Sequence, residues 1–165
     1  MWYAILGAVL LAGDQILKYW VVTHWAGGES APFLPGFMQL TRLHNYGAAW
    51  SSLSGRTVLL VVFTAVLLAA VALLLIKKVV RHWTGITACT LILSGGIGNI
   101  IDRIVHGYVV DMFDLQLFSY PVFNLADCCV VVGAILGGIY YLFLYEKYDK
   151  KKKEPDHAHD PSDPS

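Results

Sequence analysis

Two aspartates in a chain dominated by apolar runs are the residues best placed to do chemistry. Asp111 stands in Tyr108-Val-Val-Asp111-Met-Phe-Asp114, and Asp127 closes Phe123-Asn-Leu-Ala-Asp127 just before a long apolar stretch. An ionised carboxylate at or near a hydrocarbon layer is costly, so its presence there argues for function. Two of them brought together can share one proton and activate a water molecule. Asp111 has little structural reason to sit between Val-Val and Met-Phe. Asp127 has one: Asn124-Leu-Ala-Asp127 reads as a helix N-cap with an acidic residue at N3, which the helix dipole favours in any case.

The elements that must position this pair follow from composition. Of 165 residues, 56% are hydrophobic and 15% charged, with a mean hydropathy of +0.57. A soluble domain carries more charge and distributes its apolar residues with a period of two or 3.6. Here four runs approach the ~20 residues needed to cross a bilayer: roughly 2–25, 58–76, 83–101 and 126–145. The expected fold is an all-α polytopic membrane protein of four transmembrane helices. The first run has no basic residue ahead of it and holds Asp14 and Lys18, which does not suit a cleaved signal peptide. The Gly- and Pro-containing segment 26–55 reads as a loop with one or two short β-strands on the extracytoplasmic membrane surface. The connection from Asp102 to Asn124 is mixed and places Asp111 on a loop. Residues 1–146 form the expected helical domain and 147–165 a disordered cytoplasmic tail, almost devoid of apolar residues.

Lys77, Lys78 and Arg81 lie in the short middle loop, and Lys147 and Lys150–Lys153 follow the fourth run, whereas Arg42, Arg56 and Arg103 are scattered over longer connections. By the positive-inside rule both termini are cytoplasmic. With that orientation, Asp14 lies ~18 Å along the first helix and Lys18 ~6 Å further, on the same face. Asn99, Asp102 and Arg103 share a face near the outer end of the third helix. Every embedded charge therefore falls at the outer half of the bilayer, which favours a surface-opening pocket over a conduit. A small ion-coupled transporter using Asp14, Lys18 and Asp127 would need polar groups through the inner half as well. A non-catalytic lipid-binding subunit using Arg42, Arg56 and Arg103 on headgroups is the third reading. Formal net charge is zero and no nucleic-acid partner is expected. Cys89, Cys128 and Cys129 show no metal-ligand spacing and read as small packing residues.

The ordered blocks Asp14-Gln-Ile-Leu-Lys18, Asn45-Tyr-Gly-Ala-Ala-Trp50, Gly95-Gly-Ile-Gly-Asn99-Ile-Ile-Asp102-Arg103, Val110-Asp111 with Asp114, and Phe123-Asn-Leu-Ala-Asp127 resemble bacterial lipoprotein signal peptidase (signal peptidase II) over about residues 1–145. The resemblance implies an aspartyl endopeptidase of the bacterial inner membrane that cuts diacylglyceryl-modified prolipoproteins just before the lipid-bearing cysteine, with its site facing the periplasm or outer side. It implies Asp111 and Asp127 as the catalytic dyad, Asp14, Lys18, Asn45, Gly47, Asn99, Asp102, Arg103 and Asn124 as substrate-binding or supporting residues, and the strands of 26–50 as a small extracytoplasmic β-strand cradle over the site. It also implies no metal or other cofactor, inhibition by globomycin, contact with membrane lipid, and a monomer. Within that frame the helix N-terminus suits Asp127 to the base role, and Asn99 or Asn124 could donate to a developing oxyanion. Arg103, permanently charged, suits phosphate or carbonyl anchoring. Ala48-Ala-Trp50 reads as a lipid-side wall.

Overall fold

A computed structural model of the chain describes residues 1–47 and 52–150. Ala48–Trp50, read from the sequence as a lipid-side wall, lie outside the described residues, as do residues 151–165. Four helices are long and apolar enough to cross a membrane. They are α1 (Trp2–His24), α2 (Thr57–Ile76), α3 (Trp83–Val105) and a fourth span running from Leu125 to Tyr148. The last begins as α4 (Leu125–Ile139), widens into a π-helical turn over Tyr140–Leu144, and ends in the short α5 (Tyr145–Tyr148).

Helix α3 is the centre of the bundle. Half of its spanning window is buried inside the protein, against 11% for α2, whose surface is almost wholly available to lipid. The reason lies in its small residues, which let backbones approach closely where no hydrophobic force drives helices together. A Cβ on Gly95 would collide with the Ala126 carbonyl of α4, and one on Gly98 would sit 2.7 Å from Asp14 Oδ2 of α1. On α1 the buried residues are Asp14, Lys18 and Val21, one stripe facing α3. The third helix runs a turn beyond its apolar run, to Val105, so Asp102 and Arg103 are helical.

Beyond the bundle lies a three-stranded antiparallel sheet, order β1-β2-β3, from β1 (Ser30–Leu34), β2 (Met38–Asn45) and β3 (Val109–Leu115). The first two strands come from the segment expected to hold them. The third corrects the sequence reading, which left Asp111 on a loop: Leu43 of β2 pairs with Asp111 of β3, and a bulge separates this register from the pairing at Leu40. Alternation was hard to see because Val109, Val110, Asp111 and Met112 are all buried, so neither strand face is polar. The chain then turns back. Phe123 pairs with Phe113, exchanging backbone hydrogen bonds of 2.8 and 3.1 Å, and α4 starts two residues later.

A second correction concerns the tail. Residues 147–150, read as disordered, belong to the bundle: Asp149 Oδ2 accepts from the backbone N–H groups of Arg81 and His82 and from Tyr140 Oη. Those bonds tie the end of the fourth span to the α2–α3 turn.

Lys18 joins the helices. Its Nζ lies 2.8 Å from Asp14 Oδ2 and 3.0 Å from Asp102 Oδ2, with the side chain 4% exposed. Removing one partner of a buried ionic cluster leaves uncompensated charge, at a cost of about 3–5 kcal/mol. Lys18→Met is therefore expected to lower thermal stability in detergent by that amount, whereas Lys147→Met, at an exposed position, should leave the melting temperature nearly unchanged.

Candidate active site

The lysine cluster reaches each of the two pocket aspartates through the backbone. Asp102 Oδ2 accepts from the N–H of Val110, the residue before Asp111, at 3.2 Å. Asp14 Oδ1 accepts from the N–H of Ala126, the residue before Asp127, at 2.9 Å. One ammonium thus holds two carboxylates, and each carboxylate holds the chain next to one aspartate. Gln15, which sequence reasoning passed over, completes the cluster. Its Nε2 donates to Asp14 Oδ2, Asp102 Oδ1 and the Gly98 carbonyl. Its position inside the Asp14–Lys18 block was the one available signal.

Three asparagines then connect the aspartates, and each is oriented by a group that can only donate. Lys18 Nζ donates to Asn99 Oδ1 at 3.0 Å, so Asn99 Nδ2 must face away, and it donates to Asp127 Oδ1 at 2.7 Å. The backbone N–H of Asp127 donates to Asn124 Oδ1 at 2.9 Å, which turns Asn124 Nδ2 toward Asp111 Oδ1 at 2.7 Å. The Gly47 N–H donates to Asn45 Oδ1 at 2.9 Å, so Asn45 Nδ2 reaches Asp111 Oδ2, also at 2.9 Å. Asn124 Nδ2 further bridges to Asn99 Oδ1 at 3.2 Å. The capping reading of Asn124-Leu-Ala-Asp127 and the site reading coincide: Asn124 caps α4, and Asp127 Oδ2 accepts back from the Asn124 N–H at 3.2 Å.

Asp111 and Asp127 line one cavity of about 300 Å³, together with Asn45, Asn99 and Arg103 and an apolar wall that includes Tyr120, Phe123 and Val131. The wall residues were missed from sequence because nothing in Tyr120-Pro-Val-Phe distinguishes a pocket wall from a loop. Arg103 spans the site's edge, donating from Nη2 to the Gly47 carbonyl and from Nη1 to the Asn99 carbonyl. The amide donors of Asn99 and Asn124, considered from sequence as oxyanion donors, are instead engaged on the carboxylates. Gly47 and Asn45 come to the site, and Asp14, Lys18 and Asp102 lie behind it.

Burial, and next the neighbouring Asp127 charge, push the Asp111 carboxyl up to about 7 against the pull of its two asparagine donors and of Lys18. A carboxyl in that range is still about half protonated at neutrality, where an ordinary aspartate is fully ionised. The described residues contain no group of three or more His, Cys, Asp or Glu able to hold a metal. The three cysteines are free thiols.

Bilayer-length helices around a carboxylate-lined pocket define a multi-pass membrane protein with the makings of an enzyme site. The model of the family described as Signal peptidase (SPase) II matches residues 6–143. A lipoprotein signal peptidase of Enterococcus faecalis is 41% identical over 151 residues, covering 92% of this chain and 93% of that protein. One from Lactococcus lactis subsp. lactis is 38% identical over 87% of this chain and 91% of its own length. A solved bacterial membrane enzyme superposes with a TM-score of 0.81 at 32% identity, covering 93% of this chain and 94% of its own. The chain belongs to the signal peptidase II family and is an aspartic-type peptidase.

Because the Asn45 amide favours the ionised form of Asp111, Asn45→Leu should move Asp111's titration further upward. Infrared difference spectroscopy of the protonated-carboxyl stretch against pH, with Asp111→Asn as the assignment control, measures the shift.

Proposed function

We propose that the chain removes signal peptides from diacylglyceryl-modified prolipoproteins, cutting before the lipid-bearing cysteine, with Asp111 and Asp127 as the catalytic pair. The observation that carries this reading is the convergence of the two carboxyl groups on one cavity, bridged by Asn124. In this mechanism Asp127, at the N-terminus of α4, accepts a proton from the attacking water. Asp111 holds the complementary proton and donates it toward the scissile carbonyl oxygen, stabilising the tetrahedral intermediate. As the C–N bond breaks, Asp127 passes its proton to the leaving amine nitrogen and the gem-diol hydroxyl returns a proton to Asp111, restoring the starting state. The pair titrates as a unit, so the working state carries one proton over two carboxyls. Arg103 holds a substrate carbonyl at the pocket rim, and Asn45, Asn99 and Asn124 keep the carboxyl oxygens aimed.

A substrate anchored by two acyl chains is confined to the bilayer, which places its scissile bond at the interface where the pocket lies. The distribution of basic residues supports cytoplasmic termini, with the pocket on the outer side of the inner membrane. The helical bundle acts as the peptidase in a monomer, without metal or other cofactor, and globomycin-type inhibitors occupy the same cavity. The buried charged side chains among the described residues, Asp14, Lys18, Asp102 and Asp111, all gather at the pocket end, which supports a pocket over an ion path.

Asp111→Asn and Asp127→Asn should each reduce cleavage of a diacylated prolipoprotein by at least about a thousandfold, on the scale of losing an acid–base group. Membrane insertion should be unaffected, and near-parental processing by either variant would sink the dyad assignment. The raised Asp111 value sets the sign of the pH dependence: the proton is present below about 7 and lost above it. The cleavage rate should therefore fall as pH rises through that value. A rate unchanged from about pH 6 to about pH 9 would contradict the assigned role, because a general acid titrating inside that window loses its proton across it.

A further inference from the structure

A second cavity, unrelated to the carboxylates, opens at the opposite end of the bundle. It has a volume of about 460 Å³ and lies between α2, α3 and the fourth span, with Leu74, Val80, Cys89, Gly137, Tyr140 and Tyr145 among its walls. The π-helical turn over Tyr140–Leu144 forms part of its rim, and such turns often mark functional positions. Asp149, bonded to Tyr140 Oη and to the N–H groups of Arg81 and His82, braces the turn against the α2–α3 connection. The cavity is thus built by contacts that fix its shape.

Its mouth is basic. Lys77, Lys78 and Arg81 adjoin the wall residues Leu74, Val79 and Val80, and Lys147 follows Tyr145 by two positions. All four residues are exposed, and none forms an ion pair within 4.0 Å of a carboxylate among the described residues. Arg81 Nε does donate to the Lys78 carbonyl, with its charge acting on Asp149, and Lys147 lies over the Tyr148 ring. The nearby acids are already engaged: Glu146 pairs with Lys150, and Asp149 is held as described. A basic collar, placed by chain adjacency to the wall residues, therefore accompanies an apolar hole where a span ends. An apolar cavity of about 150 Å³ takes a benzene ring, so this one has room for roughly a dozen carbons of a chain. Basic pockets between spanning helices are suited to acidic lipid headgroups.

We propose that this cavity and its collar bind one anionic phospholipid, an acyl chain lying between α2 and the fourth span against Cys89 and Gly137, and the phosphate resting on Lys77, Lys78, Arg81 and Lys147. A zwitterionic lipid of equal chain length would gain the apolar contact without the charge complementarity. The site is separate from the peptide pocket and does not depend on the catalytic reading.

The test uses the full-length protein in mixed micelles containing phosphatidylglycerol and phosphatidylcholine of identical chains, with retained lipid read by native mass spectrometry. The expected result is one retained phosphatidylglycerol, preferred by about tenfold or more, and loss of that preference in a Lys77→Gln/Lys78→Gln/Arg81→Gln/Lys147→Gln variant. Gly137→Leu, which leaves every charge in place and fills the cavity, should abolish retention. Should that variant not fold, alkylation of Cys89 by N-ethylmaleimide, followed by peptide mapping, serves instead: phosphatidylglycerol should protect it more than phosphatidylcholine. Equal retention of the two lipids overturns the proposal. So does a preference that survives the four glutamines, which would place the charge effect in residues 151–165. Undiminished binding in Gly137→Leu, or identical Cys89 labelling in both lipids, overturns the cavity as the acyl site.

Discussion

A buried ammonium in an apolar layer has to be matched, and Lys18 is the charge around which this structure is arranged. Its two counter-ions come from different places, Asp14 one turn back on the same helix and Asp102 on α3. The ionic cluster therefore sets the lateral position of α1 on α3. Each counter-ion then uses a further lone pair on a backbone N–H, at Val110 and at Ala126. Those two N–H groups belong to the residues preceding Asp111 and Asp127. Coulombic matching deep in the bundle becomes positional control of both pocket carboxyls.

Hydrogen-bond polarity carries that control the rest of the way. An asparagine amide is ambiguous on its own, since its oxygen and nitrogen differ little in shape. Here the ambiguity is removed three times by a partner with no lone pair to offer: the Lys18 ammonium, the Asp127 N–H and the Gly47 N–H. Each asparagine is thereby left with its NH₂ facing a carboxyl oxygen. All buried polar side-chain atoms among the described residues find partners, as a dry network requires if it is to be rigid. The same dry surroundings explain why the pocket carboxyls differ from surface acids. Burial raises the cost of charge at Asp111, and the donors offset only part of it.

Much of this was legible in the residue string. Apolar runs of bilayer length define spans whatever their packing, because unsatisfied backbone cannot cross hydrocarbon. Asp14 and Lys18 at i,i+4, and Asn99 with Asp102 and Arg103, follow from helical geometry alone. The N-cap at Asn124 followed from local chemistry. Other features were hidden. Strand β3 is buried on both faces, so it lacks the alternation that betrays a half-exposed strand. Residues 147–150 read as tail because their anchor, Asp149 to the α2–α3 turn, spans almost seventy positions. Gln15 looked like one more polar residue until its three acceptors were assembled around it.

The sequence by itself determined which groups could do acid–base work, how many runs are long and apolar enough to cross a membrane, and which residues share a helix face. These are local properties, decided by side-chain chemistry, run length and a 1.5 Å rise per residue. Only the tertiary structure decided that Asp111 and Asp127 open onto one cavity. That depends on Phe123 pairing back onto Phe113 and on a single lysine drawing two carboxylates to it, and both are contacts between segments that no local pattern relates.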